Sequence, residues 1–284
     1  FLDCSSNNLT TLDVTGLNNL TTLYCISNQL NTINLNGLSS LATVYCQNNL
    51  FTSLDLSGLG LTSLYSLHCY NNNLTYLNVD GLNSLNQLYC WDNDLASLSV
   101  TNLPNLSALF CYNNVLTNLT ISNLPLLAGI SCYNNQLTNL DVSSFPSLEI
   151  VTCQQNNLTS LNLGFLANFA QVNCSSNQLT TIDFSGLPNL LIANVSNNLF
   201  QTLNFSNNSL LQVFNAFSNP NLESIFIKNG ISELQESFDL SNCDNLIFIC
   251  ADEDQVTSVQ NLLQINYPNI VCNSYCTFTP GGNF

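Results

Sequence analysis

The stretch LYCISNQLNTINLNGLSSLATVYCQNN, residues 23 to 49, places Cys25 and Cys46 in matching surroundings one short period apart. Counting outward, cysteines fall at Cys4, Cys25, Cys46, Cys69, Cys90, Cys111, Cys132, Cys153 and Cys174, 21 residues apart except for one interval of 23. With each cysteine taken as position 0, aliphatic residues recur at −5 and −2, Asn at +3, Leu or Phe at +5, and aliphatic residues again at +8, +10 and +13. Self-similarity at such a period marks stacked coils, each burying a face against its neighbours.

Within a coil, inward positions −2 and 0 alternate with polar or aromatic residues at −3, −1 and +1, the period of a strand with one buried face. The second half, as in "LTTLDV" or "FTSLDL", predicts a second extended segment along the opposite side. Too little chain is left for a helix in every coil. The fold expected is therefore mostly β, with one long parallel sheet.

The frame LxxLxCxxNxL resembles the leucine-rich repeat LxxLxLxxNxL, with cysteine at one inward leucine position, and its period resembles the short bacterial class of that family. The resemblance covers residues 1 to 227 and implies a solenoid of about eleven 21-residue coils. Residues 228 to 284 then read as irregular last coils and a C-terminal cap.

Asparagine at +3 (Asn7, Asn28, Asn49 and onward to Asn219) sits where the chain leaves the sheet, and an inward amide there serves backbone groups that lose ladder partners. The repeat cysteines read as buried thiols, because in-register side chains on neighbouring strands point the same way and do not suit a disulfide. A line of sulfurs with one histidine in the chain offers no converging metal ligands. At later coils position 0 becomes Val195 and Ala216, which keep apolarity without sulfur.

The rhythm fails after Asn219. A short helical turn is expected near Glu233 to Ser237. "FDLSNCDNLIFICADED" then matches "LDVTGLNNLTTLYCISN", which puts Cys243 in an inward leucine column, Ile249 at −2, Ala251 at 0 and Cys250 outward. "DEDQVTSVQNLLQINYP" predicts a capping helix over 255–266, with the acidic residues favouring its N-terminal dipole. Cys272, 21 residues beyond Ala251, is expected on a last strand. Among Cys250, Cys272 and Cys276 one disulfide is expected, its pairing open.

The whole chain has 284 residues, one Lys or Arg and 17 acidic residues, for a net charge of −16. Such a balance repels nucleic acid and anionic membranes, and no apolar run is long enough to span a bilayer. The Asn-, Ser- and Thr-rich composition reads as exported, secreted or displayed on a bacterial surface. The ending "CNSYCTFTPGGNF" resembles a junction in secreted surface proteins of flavobacterium-like bacteria, which implies a piece of a longer multi-module chain. No nucleophile has a matching base, and no cofactor or enzyme activity is expected.

Positions −1 and +1 project outward, and in the earlier coils they are aromatic: Tyr45, His68, Tyr70, Tyr89, Trp91, Phe110, Tyr112 and Tyr133. From Thr152 onward they turn polar. A cross-strand ladder can serve sheet stability alone, but a regional aromatic stretch also marks a ligand face. The reading is a non-catalytic recognition or adhesion module that binds a protein through this face. A carbohydrate-binding module and a structural spacer are the alternatives.

Overall fold

The computed structural model describes residues 1–230 and 239–276, so the turn expected near Glu233 to Ser237 lies outside the described residues. The chain divides into two compact units, residues 1–137 with 144–148, and residues 138–143 with 149–284. Each is a stack of coils with parallel strands, the mostly-β solenoid expected.

In the first unit, strands Leu2–Asp3, Thr22–Tyr24, Thr43–Tyr45, Ser66–His68, Gln87–Tyr89, Ala108–Phe110 and Gly129–Ser131 pair in chain order. Register follows the repeat: Leu23 lies beside Val44, Val44 beside Leu67, Leu67 beside Leu88, and Leu88 beside Leu109. These −2 side chains are buried, as are Cys25, Cys46, Cys69, Cys90, Cys111 and Cys132 next to them. Burying a leucine contributes about 1.5–3 kcal/mol, so each coil is held chiefly by its inward columns. Second extended segments form in later coils, Ser53–Asp55 with Tyr76–Asn78 and Ser97–Thr101 with Asn118–Ser122, but not in the first two, where LTTLDV over 9–14 carries no strand.

Three polar devices knit the coils. Beyond the exposed Asn7 of the first coil, +3 asparagines reach inward and join two coils. Asn114 Nδ2 donates to Cys111 O and Tyr112 O of its own coil and to Cys90 O of the coil before, while its Oδ1 accepts from Leu95 N at 3.0 Å. Leaving such a buried group unpaired costs about 1–3 kcal/mol. The residue before it, at +2, turns the chain in the left-handed region; Ser27, Asn48, Asn71, Asp92, Asn113 and Asn134 have φ of 50–57°. Short polar side chains tolerate that conformation best. The thiols point the other way along the stack: Cys25 Sγ donates to Tyr45 O at 3.5 Å and Cys46 Sγ to His68 O at 3.4 Å. The repeat cysteines are free thiols, as the strand geometry requires.

The second unit repeats this plan over strands Ile150–Thr152, Gln171–Asn173, Ile192–Asn194 and Val213–Asn215. Cys153, Cys174, Val195 and Ala216 are all buried at position 0. Three of its aromatic rings form a cluster in the core. Phe184 stacks on Phe205 at 4.8 Å, and Phe205 meets Phe214 at 5.1 Å, all three buried.

The register after residue 238 differs from the sequence expectation. Ile249 pairs with Ile225, a second-half residue of its coil. Ser218 N donates to Ser241 O, as Ser6 N does to Ile26 O, and Asn242 repeats the +2 turn with φ 58°. Leu240 therefore holds position 0, and Cys243 holds the asparagine position instead of a leucine column. Its thiol donates to Ala216 O at 3.2 Å, the bond Asn28 Nδ2 makes to Cys4 O. The misreading has a physical source: both halves of a coil present the same LxxLxV spacing to the core, so a string of that spacing fits either.

Strands Thr202–Asn204, Ser224–Phe226, Phe248–Cys250 and Val271–Asn273 form a four-stranded sheet. Cys250 is buried, not outward, and is bonded to Cys276 with a Cα separation of 5.3 Å. Cys272 lies on the last strand, but beside Ile249, not Ala251. The expected helix spans Val256–Asn266, buries Val259 and Leu263, and has no acidic residue in its first turn. Asp252 is used elsewhere, its Oδ2 accepting from Asn229 N and Gly230 N. Gln260 on the helix closes the last strand's edge, accepting from Cys272 N and donating to Ile270 O.

Candidate functional site

Strand periodicity sends −1 and +1 side chains to the face opposite the core, and in the first unit this face carries two files of rings. The −1 file runs Tyr24, Tyr45, His68, Tyr89, Phe110, with centroids 4.6, 4.1, 4.5 and 5.2 Å apart. The +1 file runs Tyr70, Trp91, Tyr112, Tyr133 at 4.0, 5.2 and 4.4 Å, its planes within 11° of parallel. Cross-file contacts join them, Tyr89 to Trp91 at 5.6 Å and Trp91 to Phe110 at 6.4 Å.

All eight residues singled out from the sequence thus belong to one continuous ribbon, and each is half-buried by its neighbours. Tyr24 extends it, and Phe1 adds a ring 5.4 Å from Tyr24. Gln47, at the +1 position before Tyr70, is buried. The inter-strand spacing matches the stacking distance of rings. Trp91 and Tyr112 therefore have a neighbouring ring on both faces. What they offer to solvent is edges and polar atoms.

Burial shapes the chemistry of the ribbon. It pushes the phenols of Tyr45 and Tyr89 up, and that of Tyr112 up to about 12, where the neighbouring Tyr133 and the carboxylate of Asp92 add to burial. Burial pushes His68 down to about 4, so its ring is neutral at pH 7. Ser66 Oγ lies 3.0 Å from His68 Nε2 and also donates to Gln87 Oε1 at 3.0 Å. A hydroxyl has one proton, so His68 Nε2 carries the hydrogen and donates it to Ser66. That polarity is opposite to the one a histidine base needs to activate a serine. Among the described residues no three His, Cys, Asp or Glu side chains are grouped as a metal would need.

Sequence reasoning missed the polar border of the ribbon. The +2 turns line one side and form an amide ladder: Asn71 Nδ2 donates to Asn48 Oδ1 at 2.6 Å, Asn113 Nδ2 to Asp92 Oδ1 at 2.7 Å, and Asn134 Nδ2 to Asn113 Oδ1 at 2.9 Å. The signal was present in the Ser, Asn or Asp that precedes each inward asparagine. A separate groove of about 930 Å³ opens on a different side of the coils, where Pro104, Pro125 and Pro146 recur at the repeat period beside Asn102 and Asn123.

Strands in register at the repeat period, an inward +3 asparagine joining each coil to the one before, and a buried residue at position 0 decide the architecture. The fold is a leucine-rich repeat solenoid. No protein-family model and no curated protein matches the sequence. Among solved structures, it is similar to the functional domain of InlJ from Listeria monocytogenes, which includes a cysteine ladder, with TM-score 0.71 and 28% identity over 88% of this chain and 54% of that one. The leucine-rich repeat chain thus spans about half the InlJ chain. An internalin, inlF, from the same organism matches with TM-score 0.58 and 20% identity over 93% of this chain and 76% of that one. YopM from Yersinia pestis matches with TM-score 0.50 and 23% identity over 72% and 71%. These last two share the fold alone.

Proposed function

We propose that the chain is a non-catalytic recognition module that binds a protein partner through the aromatic ribbon, in a secreted or surface-displayed protein. The observation that carries the reading is the ribbon itself: two joined files of rings on an outward sheet face of the first unit, where the second unit has Thr152, Gln154, Asn173, Ser175, Asn194 and Ser196 at the matching positions. Tyr and Trp give large contact area for little ordering, and they dominate the energetics of protein interfaces. The leucine-rich repeat scaffold and the similarity to InlJ support the same reading.

The stacking geometry favours a protein over a sugar. A carbohydrate ring lies flat on an open aromatic face, and the faces of Trp91 and Tyr112 are covered by neighbours 4.0–5.2 Å away. Ring edges and phenol hydroxyls suit backbone carbonyls and side chains of a protein surface.

The test compares Trp91→Ala with Tyr112→Ala against Asn173→Ala with Asn215→Ala, for adhesion to cells, capture of surface proteins and glycan arrays. The aromatic pair should lose at least about tenfold in protein binding, the size of an interface hot spot, and the polar pair nothing. Equal loss or no loss in the two pairs leaves the ribbon as sheet stabilisation. Glycan binding that vanishes with Trp91 assigns the face to carbohydrate.

A further inference from the structure

We infer that the partner docks an arginine of its own against Trp91 and the carboxylate of Asp92, an inference that rests on the aromatic ribbon being the binding face. Among the +2 turns from Ser6 to Ser218, every residue except Asp92 is Ser, Asn or Gln. An asparagine there suits the left-handed backbone and passes an amide hydrogen to the coil before it, as Asn113 does to Asp92 Oδ1 at 2.7 Å. Asp92 can accept that bond but has no hydrogen to pass on to Asn71. The ladder stops there, and Asp92 Oδ2 and Asn71 Oδ1 are left as acceptors on successive coils. The carboxylate is exposed and lies close enough to Tyr112 to raise its phenol. Asp94, two residues on, is also exposed.

Nothing in the first unit can fill this place. Its residues include no Lys or Arg, and the single lysine of the chain, Lys228, belongs to the second unit and lies 3.5 Å from Glu253. A residue that breaks its own column's rule, at the cost of a hydrogen bond, at the border of the face with the one tryptophan is where a local rule is expected to yield to function. The complement is a planar donor fork. A guanidinium can bond Asp92 Oδ2 and Asn71 Oδ1 together and present its apolar plane to the Tyr70–Trp91 edge, which a lysine ammonium does not match. Closure of a partner over Trp91 would remove water from the pair and strengthen it.

The test uses the full chain and arrayed synthetic peptides in four sets, arginine-bearing, lysine-bearing, uncharged and acidic, at low and high salt. Wild type should retain the arginine set, more weakly the lysine set, and lose both as salt rises. Asp92→Asn should lower arginine-peptide affinity about tenfold to a hundredfold, the loss of one charge-assisted bond. The same substitution restores the amide ladder, so its thermal midpoint should equal or exceed that of wild type. If Asp92→Asn binds as wild type does while Trp91→Ala does not, the arginine site is wrong and the ribbon stands. If neither changes binding, both are wrong. Preference for the uncharged set also overturns the arginine site.

Discussion

The thiols of the repeat cysteines beyond Cys4 lie in the core, and those of Cys25, Cys46 and Cys174 donate to the next coil's carbonyl. Burial pushes Cys25, Cys69, Cys132 and Cys174 up to about 12, and Cys46, Cys90 and Cys111 well above the usual thiol range. In the unfolded chain the same groups ionise near pH 8.5. A thiol whose folded pKa is raised keeps its proton in the native state while the unfolded state loses it. Its stabilisation is therefore complete below about pH 8.5 and falls as pH rises from there toward 12, by up to about 1.4 kcal/mol per pH unit for each thiol. Stability measured by denaturant titration should drop steeply between pH 9 and 11, and Cys111→Ala should drop less steeply. Alkylation at pH 8 should modify Cys4, the half-exposed first rung, before any other repeat cysteine. Labelling of Cys90 or Cys111 in the native protein at the rate of Cys4 would contradict the buried ladder.

At the scale of the element, the ribbon strand holding His68 has a titration of its own. His68 stacks on Tyr45 at 4.1 Å and is pushed down to about 4 by burial. The unfolded ring binds its proton near pH 6.5 and the folded ring does not until about 4, so stability is complete above pH 6.5 and declines as pH falls toward 4. It is the one histidine of the chain, and the carboxylates with shifted values, Asp13 and Asp55 among them, are held below 3.8 by hydrogen bonds from Thr15 and Ser57. The decline between pH 6.5 and 5 is thus His68's. His68→Gln should flatten it in thermal melts, and an unchanged slope would refute the assignment. What could be read of such elements from the sequence follows from their periodicity. The strand face, the inward asparagine and the eight ribbon residues all follow from a side-chain period of two locked to a repeat. Asp92's place in an amide ladder depends on which +2 atoms meet between coils, and the place of Cys243 on which half of a coil the last leucines serve. Those are choices of register, and hydrophobic spacing is the same under either choice.

At the scale of the molecule, the second unit carries a covalent tie. Residues 250 to 276 close a loop through the Cys250–Cys276 bond that holds the helix and the last strand, with Gln260 covering that strand's open side. Closing a loop of this length stabilises by about 3 kcal/mol through the entropy it removes from the unfolded chain. A mild reductant, to which the remaining described cysteines are already reduced thiols, should therefore lower the stability of this unit by that order. Hydrogen exchange should quicken at Val271–Asn273 first. Exchange there that ignores the reductant would show that helix packing alone holds the end. The opposed bonds between coils carry a different lesson. The inward asparagines give an amide hydrogen back, and cysteines such as Cys25 and Cys46 also give a thiol hydrogen forward, so successive junctions present the same asparagine plug and the same carbonyl socket. Recombination that drops or duplicates one repeat in a gene would leave each surviving junction matched. Such an event would change only how many rungs of rings the outward face displays. Two codons per coil, at −1 and +1, then spell the surface, and they can be rewritten without touching the parts that make the chain stack.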